Sequence, residues 1–170
     1  MLGYNLCSGN SAFMSTGTVI SIYITPEPGG TTREVPRVNA VPGMGLEGDR
    51  YFGLPGTGHK RTGSGREITL IEIEALEAME REEGILLTPG EARRNLVTQG
   101  VSLNDLVGKD FQVGDVYLRG VRLCEPCSHL AGMTDPRVLP GLTHRGGRRA
   151  AILTAGQNTP GDNIRHTPAA

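Results

Sequence analysis

The stretch from Pro42 to Glu67, PGMGLEGDRYFGLPGTGHKRTGSGRE, is too dense in glycine to hold an amphipathic helix or a long regular strand. Structureless runs beyond about 12–15 residues are uncommon in compact domains, and those that occur are functional or disordered. This one reads as a long functional loop, with short elements on either side. Glycine and proline together make up about a fifth of the chain, against ~12% ordinarily. Such punctuation favours a strand-and-turn architecture over long helices.

Val19–Ile24, VISIYI, is short and β-branched and reads as a strand, as do Val38–Val41 and Ile68–Ile71. Glu72–Glu83 is the clearest helix. Ile73, Leu76 and Met79 recur at three-residue spacing, and Gly84 stands ready to end it. Thr88-Pro89-Gly90-Glu91 has the form of a capping box and predicts a short helix from Pro89. Ser102–Gly108 can hold one helical turn. Phe111–Leu123 divides into three strand pieces at Gly114 and Gly120, which suit the bends of a barrel. Cys124–Gly147 reads as loop, and Ala150–Thr154 as a closing strand. The expected fold is mainly β with a few short helices, in a compact barrel.

A chain of 170 residues suits one domain. Residues 17–156 read as that domain, 157–170 as a C-terminal tail, and 1–16 as an N-terminal extension, since Met14 opens MSTGTVISIYI as a natural start. The formal net charge of −1 lacks the basic excess of a nucleic-acid binder. No apolar run approaches the ~20 residues of a membrane span, and Met1–Phe13 has no secretory pattern, so neither nucleic acid nor membrane is expected and the cytoplasm is the default. Three cysteines give no disulfide framework. GMGLEG, Gly43–Gly48, satisfies G-x-G-x-x-G, but DRYFGLPG follows where a dinucleotide site requires a helix.

Four stretches, taken in order, resemble the MOSC family, named for the C-terminal domain of molybdenum-cofactor sulfurases. They are GLEGDRYFG (45–53), REITLIEIEALE (66–77), PGEARRNLVTQGVSLNDLVGKDFQVGDVYL (89–118), and CEPCSHL followed by HRGGRRAAILTAG. The resemblance covers most of the chain from about Gly17. It implies a MOSC-like β-barrel and a protein that binds the molybdenum cofactor (molybdopterin). It also implies either a reductase of N-hydroxylated small molecules or a sulfur carrier for cofactor sulfuration.

The resemblance makes Cys127 the candidate metal ligand and catalytic thiol. A soft thiolate is a sensible ligand for molybdenum and is also what carries a persulfide. Without the resemblance, a buried structural cysteine is the commoner fate. Cys124 completes a C-x-x-C pair, but one pair is too few for structural zinc, and a dithiol site wants the pair to open a helix within a βαβ unit, whereas CSHLAGMTDP promises little helix. Cys124 is either a neighbour of Cys127 or a resolving thiol for it.

Arg145, Gly146, Gly147 and Arg148 form the densest basic cluster, with Arg149 beside them. Arginine forks and glycine backbone suit a phosphate, such as the one on the cofactor's pterin tail. A solvated basic turn is the plainer reading. Arg94 and Asn95 match the family's cofactor groove; a surface Arg and a loop-bracing Asn are nearly as plausible. Cys127, Arg145 and Arg94 are expected to line one cleft. Asp49 and Arg50 are expected to brace the glycine loop by an ion pair. His59, His129 and His144 read as structural, with His144 a possible proton donor. No iron–sulfur or haem signature is present, so electrons would come from a separate reductase. A sulfur carrier would instead need a cysteine desulfurase as partner.

Overall fold

A computed structural model of the chain describes residues 15–54 and 66–166. Its elements in order are β1 (Ser15–Ile24), β2 (Arg33–Glu34), β3 (Val38–Val41), β4 (Gly45–Leu46), β5 (Ile68–Glu72) and α1 (Ile73–Glu83). There follow β6 (Leu96–Gln99), a single 3-10 turn (Leu103–Leu106), β7 (Asp110–Val113), β8 (Val116–Leu123), α2 (Ser128–Met133) and α3 (Val138–Gly141). The last three are β9 (Arg148–Ile152), β10 (Gly156–Asn158) and β11 (Asn163–His166).

Seven strands close into a barrel in the order β11-β7-β8-β9-β5-β6-β1, with β1 pairing back onto β11. Every pairing in the ring is antiparallel except β5 with β6. A parallel pair needs a crossover, and α1 belongs to it. β10, β3 and β4 form a separate small sheet.

The strand period of two sorts the core into two compartments. On β5, Leu70 faces the barrel interior with Phe111 and Leu118, while Ile71 belongs to the cluster with Leu76 and Met79 of α1 and Leu130 of α2. On β6, Leu96 and Val97 divide the same way. One wall of the barrel is thus covered by helices. α1 ends where expected, at Gly84 in the left-handed region (φ 68°), whose N–H bonds to the Glu80 carbonyl.

The sequence reading needs five corrections. Cys124–Gly147, read as loop, holds α2 and α3, and α2 starts directly after Cys127. Residues 157–166, read as tail, include most of β10 and all of β11; Ile164 is fully buried inside the barrel, and full burial of such a side chain contributes about 1.5–3 kcal/mol. β1 begins at Ser15, within the supposed extension; residues 1–14, with Cys7, and 55–65, with His59, lie outside the described residues. Thr88 and Glu91 make the bonds of a capping box, but Arg93 turns to a positive φ of 57° and no helix follows. Gly120 does not split β8. It sits at a bulge, where a Cβ would collide with the Leu106 carbonyl.

Candidate functional site

The ends of β1 and β8 and the starts of β5, β6 and β9 meet at one mouth of the barrel. A pocket opens there, bounded by Tyr23 from β1 and Thr25 just after it, Arg66 and Thr69 at β5, Arg93, Arg94 and Asn95 ahead of β6, Cys124 after β8 and Arg149 in β9. Thr32, Asp49, Arg50 and Tyr51 complete it from the loops. Counting the space at its open mouth, it encloses about 470 Å³. Five arginines face one carboxylate, Asp49, so the pocket carries a net positive charge.

The two residues of the expected cofactor groove that do line it are largely occupied by structure. Arg94, only 8% exposed, donates to the carbonyls of Gly146 (2.9 Å), Ala92 (3.1 Å) and Cys124 (3.1 Å). Asn95 accepts from the backbone N–H and hydroxyl of Thr69 and donates to the Tyr23 carbonyl at 3.0 Å, tying β1 to β5. Arg50 and Arg93 are less tied to the backbone than Arg94. Arg50 lies over the Tyr51 ring at 4.4 Å. The Arg93 guanidinium donates to the Gly30 carbonyl at 2.8 Å. Burial lowers the Arg93 pKa, and the nearby Arg50 charge lowers it further. Crowded like charges of this kind favour a bound anion.

Cys127, Arg145, Gly146, Gly147 and Arg148 are not among the lining residues. Arg145 reaches the other way, to the Gly141 carbonyl and to Glu82 of α1, both at 2.6 Å. Arg148 is 2% exposed and donates to the carbonyls of Leu103 and Gly147. The strand period then turns its neighbour Arg149 to the pocket. Gly146 and Gly147 are required by packing. A Cβ on Gly146 would stand 2.7 Å from the Cys124 carbonyl, and Gly147 takes φ 103° against the Leu70 carbonyl.

Cys124 is buried and forms part of the pocket wall; Cys127 is exposed and precedes α2. Three residues reach at most about 11 Å, so Cys127 stays within that distance of Cys124 along the chain. Asp49 braces the loop through backbone rather than an ion pair with Arg50. It accepts from the N–H groups of Thr25 (2.9 Å) and Tyr51 (3.2 Å). His144 is exposed, has φ 63°, and pairs with Glu125 at 3.3 Å; His129 is also exposed. Among the described residues no three His, Cys, Asp or Glu side chains gather into a metal-binding group. Nor is any described helix long and apolar enough to cross a membrane.

Sequence reasoning missed Tyr23, Thr69, Arg66 and Arg93 as lining residues. Arg93 and Arg149 each belong to an Arg-Arg pair ahead of or within a strand. Only the register decides which of the pair faces the pocket.

A seven-stranded barrel with an arginine-rich pocket at its mouth, beside a C-x-x-C segment, defines a small β-barrel protein. Residues 57–165 match the MOSC domain model, and the chain belongs to that family, one associated with the molybdenum cofactor. No curated protein matches it in sequence. Among solved structures it is similar to the YuaD protein from Bacillus subtilis, at TM-score 0.77 and 17% identity over 88% of this chain and 94% of that one. It is also similar to YiiM from Geobacillus stearothermophilus (TM-score 0.67, 18% identity, 89% and 75% covered). YiiM from Escherichia coli gives 0.62 and 16%, with 90% and 71% covered. At these identities the likeness is one of fold.

Proposed function

We propose that this protein binds the molybdenum cofactor at the arginine-lined mouth and reduces N-hydroxylated small molecules, with Cys127 as the protein's thiolate. The observation that carries the reading is the charge of the pocket, five guanidinium groups to one carboxylate. That donor set fits the phosphate of the pterin tail, because arginine forks match phosphate oxygens and a half-enclosed site weakens competition from water. Arg50 and Arg93 would take the phosphate. Arg94 holds the mouth in shape, and Tyr23 and Tyr51 offer flat walls for a ring.

Bound there, the cofactor would supply the redox chemistry. The chain supplies the soft donor, Cys127, and the fixed cations. In the net reaction the N–O bond breaks, two electrons and two protons enter, and an amine and water leave. The electrons come from a partner reductase.

A second reading has its own observation. Cys127 is exposed and lies outside the pocket wall, where a cysteine desulfurase could reach it. A persulfide on Cys127 would then hand its outer sulfur to the cofactor, a transfer that takes two electrons and two protons from an external thiol reductant, restores the Cys127 thiol and releases water. The deciding experiment begins with metal and pterin analysis of protein purified from its own host. The loaded protein is then given an artificial electron donor and an N-hydroxylated substrate. Reduction supports the first reading. A mass gain of one sulfur on Cys127 after incubation with desulfurase and cysteine, without reduction, supports the second. Protein that holds neither molybdenum nor pterin, and takes up neither on reconstitution, removes both.

A further inference from the structure

The arginine-lined pocket is cationic at both ends. At one end, Arg50 and Arg93 are anchored beside the end of β1. The Arg50 backbone N–H donates to the Thr25 carbonyl at 2.8 Å, and the Arg93 guanidinium to that of Gly30. At the other end stands Arg149 of β9. The ring runs β9-β5-β6-β1, so three strand spacings, roughly 14 Å along the sheet, separate Arg149 from β1. One phosphoryl group, with a charge of about −1.5 to −2 near neutral pH, serves one end and leaves the other cationic.

The charge at the far end extends past the pocket wall. Arg149 stands opposite Arg122 of β8 on one side and opposite Thr69 of β5, a lining residue, on the other. Directly opposed residues share a face of the sheet with Cβ atoms about 4.5–5.5 Å apart, so Arg122 flanks the pocket beside Arg149. Like charges in that relation weaken the strand pair. An anion between them reverses the sign. Arg122 is exposed and, among the described residues, forms no ion pair. Arg119, on the same strand, has the ordinary arrangement: its guanidinium forks onto Asp110 of β7 at 2.6 and 2.9 Å.

We propose that Arg122 and Arg149 form a second anion subsite, which takes a phosphoryl group other than the one held by Arg50 and Arg93. The inference rests on that latter pair being the cofactor's phosphate site. Two neighbouring guanidinium forks offer more donors than the two oxygens of a carboxylate use. The three oxygens and greater charge of a phosphoryl group take them up. Such a group has two chemical sources. One is a phosphate ester on the substrate, which makes the substrate a phosphorylated N-hydroxy compound. The other is a second phosphoryl group on the cofactor itself, where its tail is extended to a nucleotide diphosphate ester.

The test follows backbone amide signals of the full chain by NMR during titration with inorganic phosphate in low salt. The Arg122 and Arg149 amides should shift and saturate with one dissociation constant, and those of Arg50 and Tyr51 with another. Arg165, exposed on β11, should not move. Arg122→Gln changes an exposed side chain with little risk to folding. It should weaken the constant read at Arg149 about tenfold and leave that read at Arg50 within about twofold. An Arg149 amide that stays fixed, or a constant unchanged in Arg122→Gln, overturns the proposal. Protein loaded with cofactor separates the two sources. A phosphate-induced shift at Arg149 in loaded protein assigns the subsite to the substrate. No shift there, with a nucleotide released on mild acid hydrolysis, assigns it to the cofactor. No shift and no nucleotide overturns it. The two readings fail separately. Phosphate binding at Arg149 in loaded protein that reduces no N-hydroxylated compound keeps the subsite and removes the reductase. Reduction of 4-hydroxybenzamidoxime by protein that releases no nucleotide, and whose Arg149 amide ignores phosphate whether loaded or empty, does the reverse.

Discussion

Arg94 donates to the carbonyl of Cys124 at 3.1 Å, across 30 positions of sequence, and this bond fastens the C-x-x-C segment to the mouth of the pocket. The same guanidinium holds Gly146 and Ala92. A side chain expected to grip the ligand therefore grips the residues around it. Arg94→Met keeps most of the apolar stem and leaves these carbonyls without their donor. Each buried group left unsatisfied costs about 1–3 kcal/mol, so a loss of about 2–4 kcal/mol is expected after partial rehydration. Urea denaturation measures it. A change below about 1 kcal/mol would mean that water replaces the guanidinium freely.

Arg50 and Arg93 should behave in the opposite manner. Each faces the pocket with fewer bonds to the fold, and each repels the other. Alanine at either position should leave stability within about 0.5 kcal/mol of wild type. Affinity for pyrophosphate, used as a stand-in for the pterin phosphate, should fall about tenfold, since a bond to a charged group is worth about 1.5–3 kcal/mol. Isothermal titration in low salt reads the affinity. Unchanged binding in both variants would remove the pocket as an anion site.

The contrast between these arginines shows what was legible in the sequence. The resemblance pointed to Arg94, Asn95 and the Arg-Gly-Gly turn as one neighbourhood, and the Arg94 guanidinium does donate to the Gly146 carbonyl. Motif position could not say whether a side chain serves the fold or the ligand. That depends on which carbonyls lie within 3 Å, a tertiary fact. The strands told a similar story. Val38–Val41 and Gly84 followed from β-branching and left-handed geometry. β11 did not, because NIRH carries only one inward apolar residue, Ile164, and a single residue shows no period.

Glu72 gives a pH prediction. It precedes α1, and burial raises its pKa above the usual carboxylate value of 4.5, outweighing the bond it accepts from the Leu103 N–H and the attraction of Arg148. A raised carboxyl pKa means that the folded state holds the proton more tightly than the unfolded chain. Its contribution is therefore fully present below the unfolded value and is lost as pH rises through the folded value. Glu72→Gln keeps an acceptor for Leu103 and cannot ionise. The variant's stability relative to wild type should increase from pH 4 towards neutrality, followed by urea denaturation at each pH. A relative stability that falls over that range would show that the Arg148 attraction dominates.

The thiols give the sharpest test. Cys124 is 2% exposed, its carbonyl held by Arg94 and its N–H by Gly147, whereas Cys127 is exposed. In a Cys7→Ser background, iodoacetamide should modify Cys127 faster than Cys124 by about a hundredfold, because reactivity requires access as well as thiolate. Peptide mass spectrometry separates the two sites. Cys127→Ser should abolish both molybdenum-dependent reduction and sulfur uptake, since a hydroxyl is a harder donor, far less acidic, and holds no sulfane sulfur. The change is nearly isosteric and sits on the surface, so the melting temperature should hold. Cys124→Ser should keep a measurable fraction of activity if it only walls the pocket. The reverse pattern, loss in Cys124→Ser and survival in Cys127→Ser, would transfer the chemistry to the buried thiol that faces the arginines. Survival in both would leave the cationic pocket as a binding site with no cysteine chemistry attached.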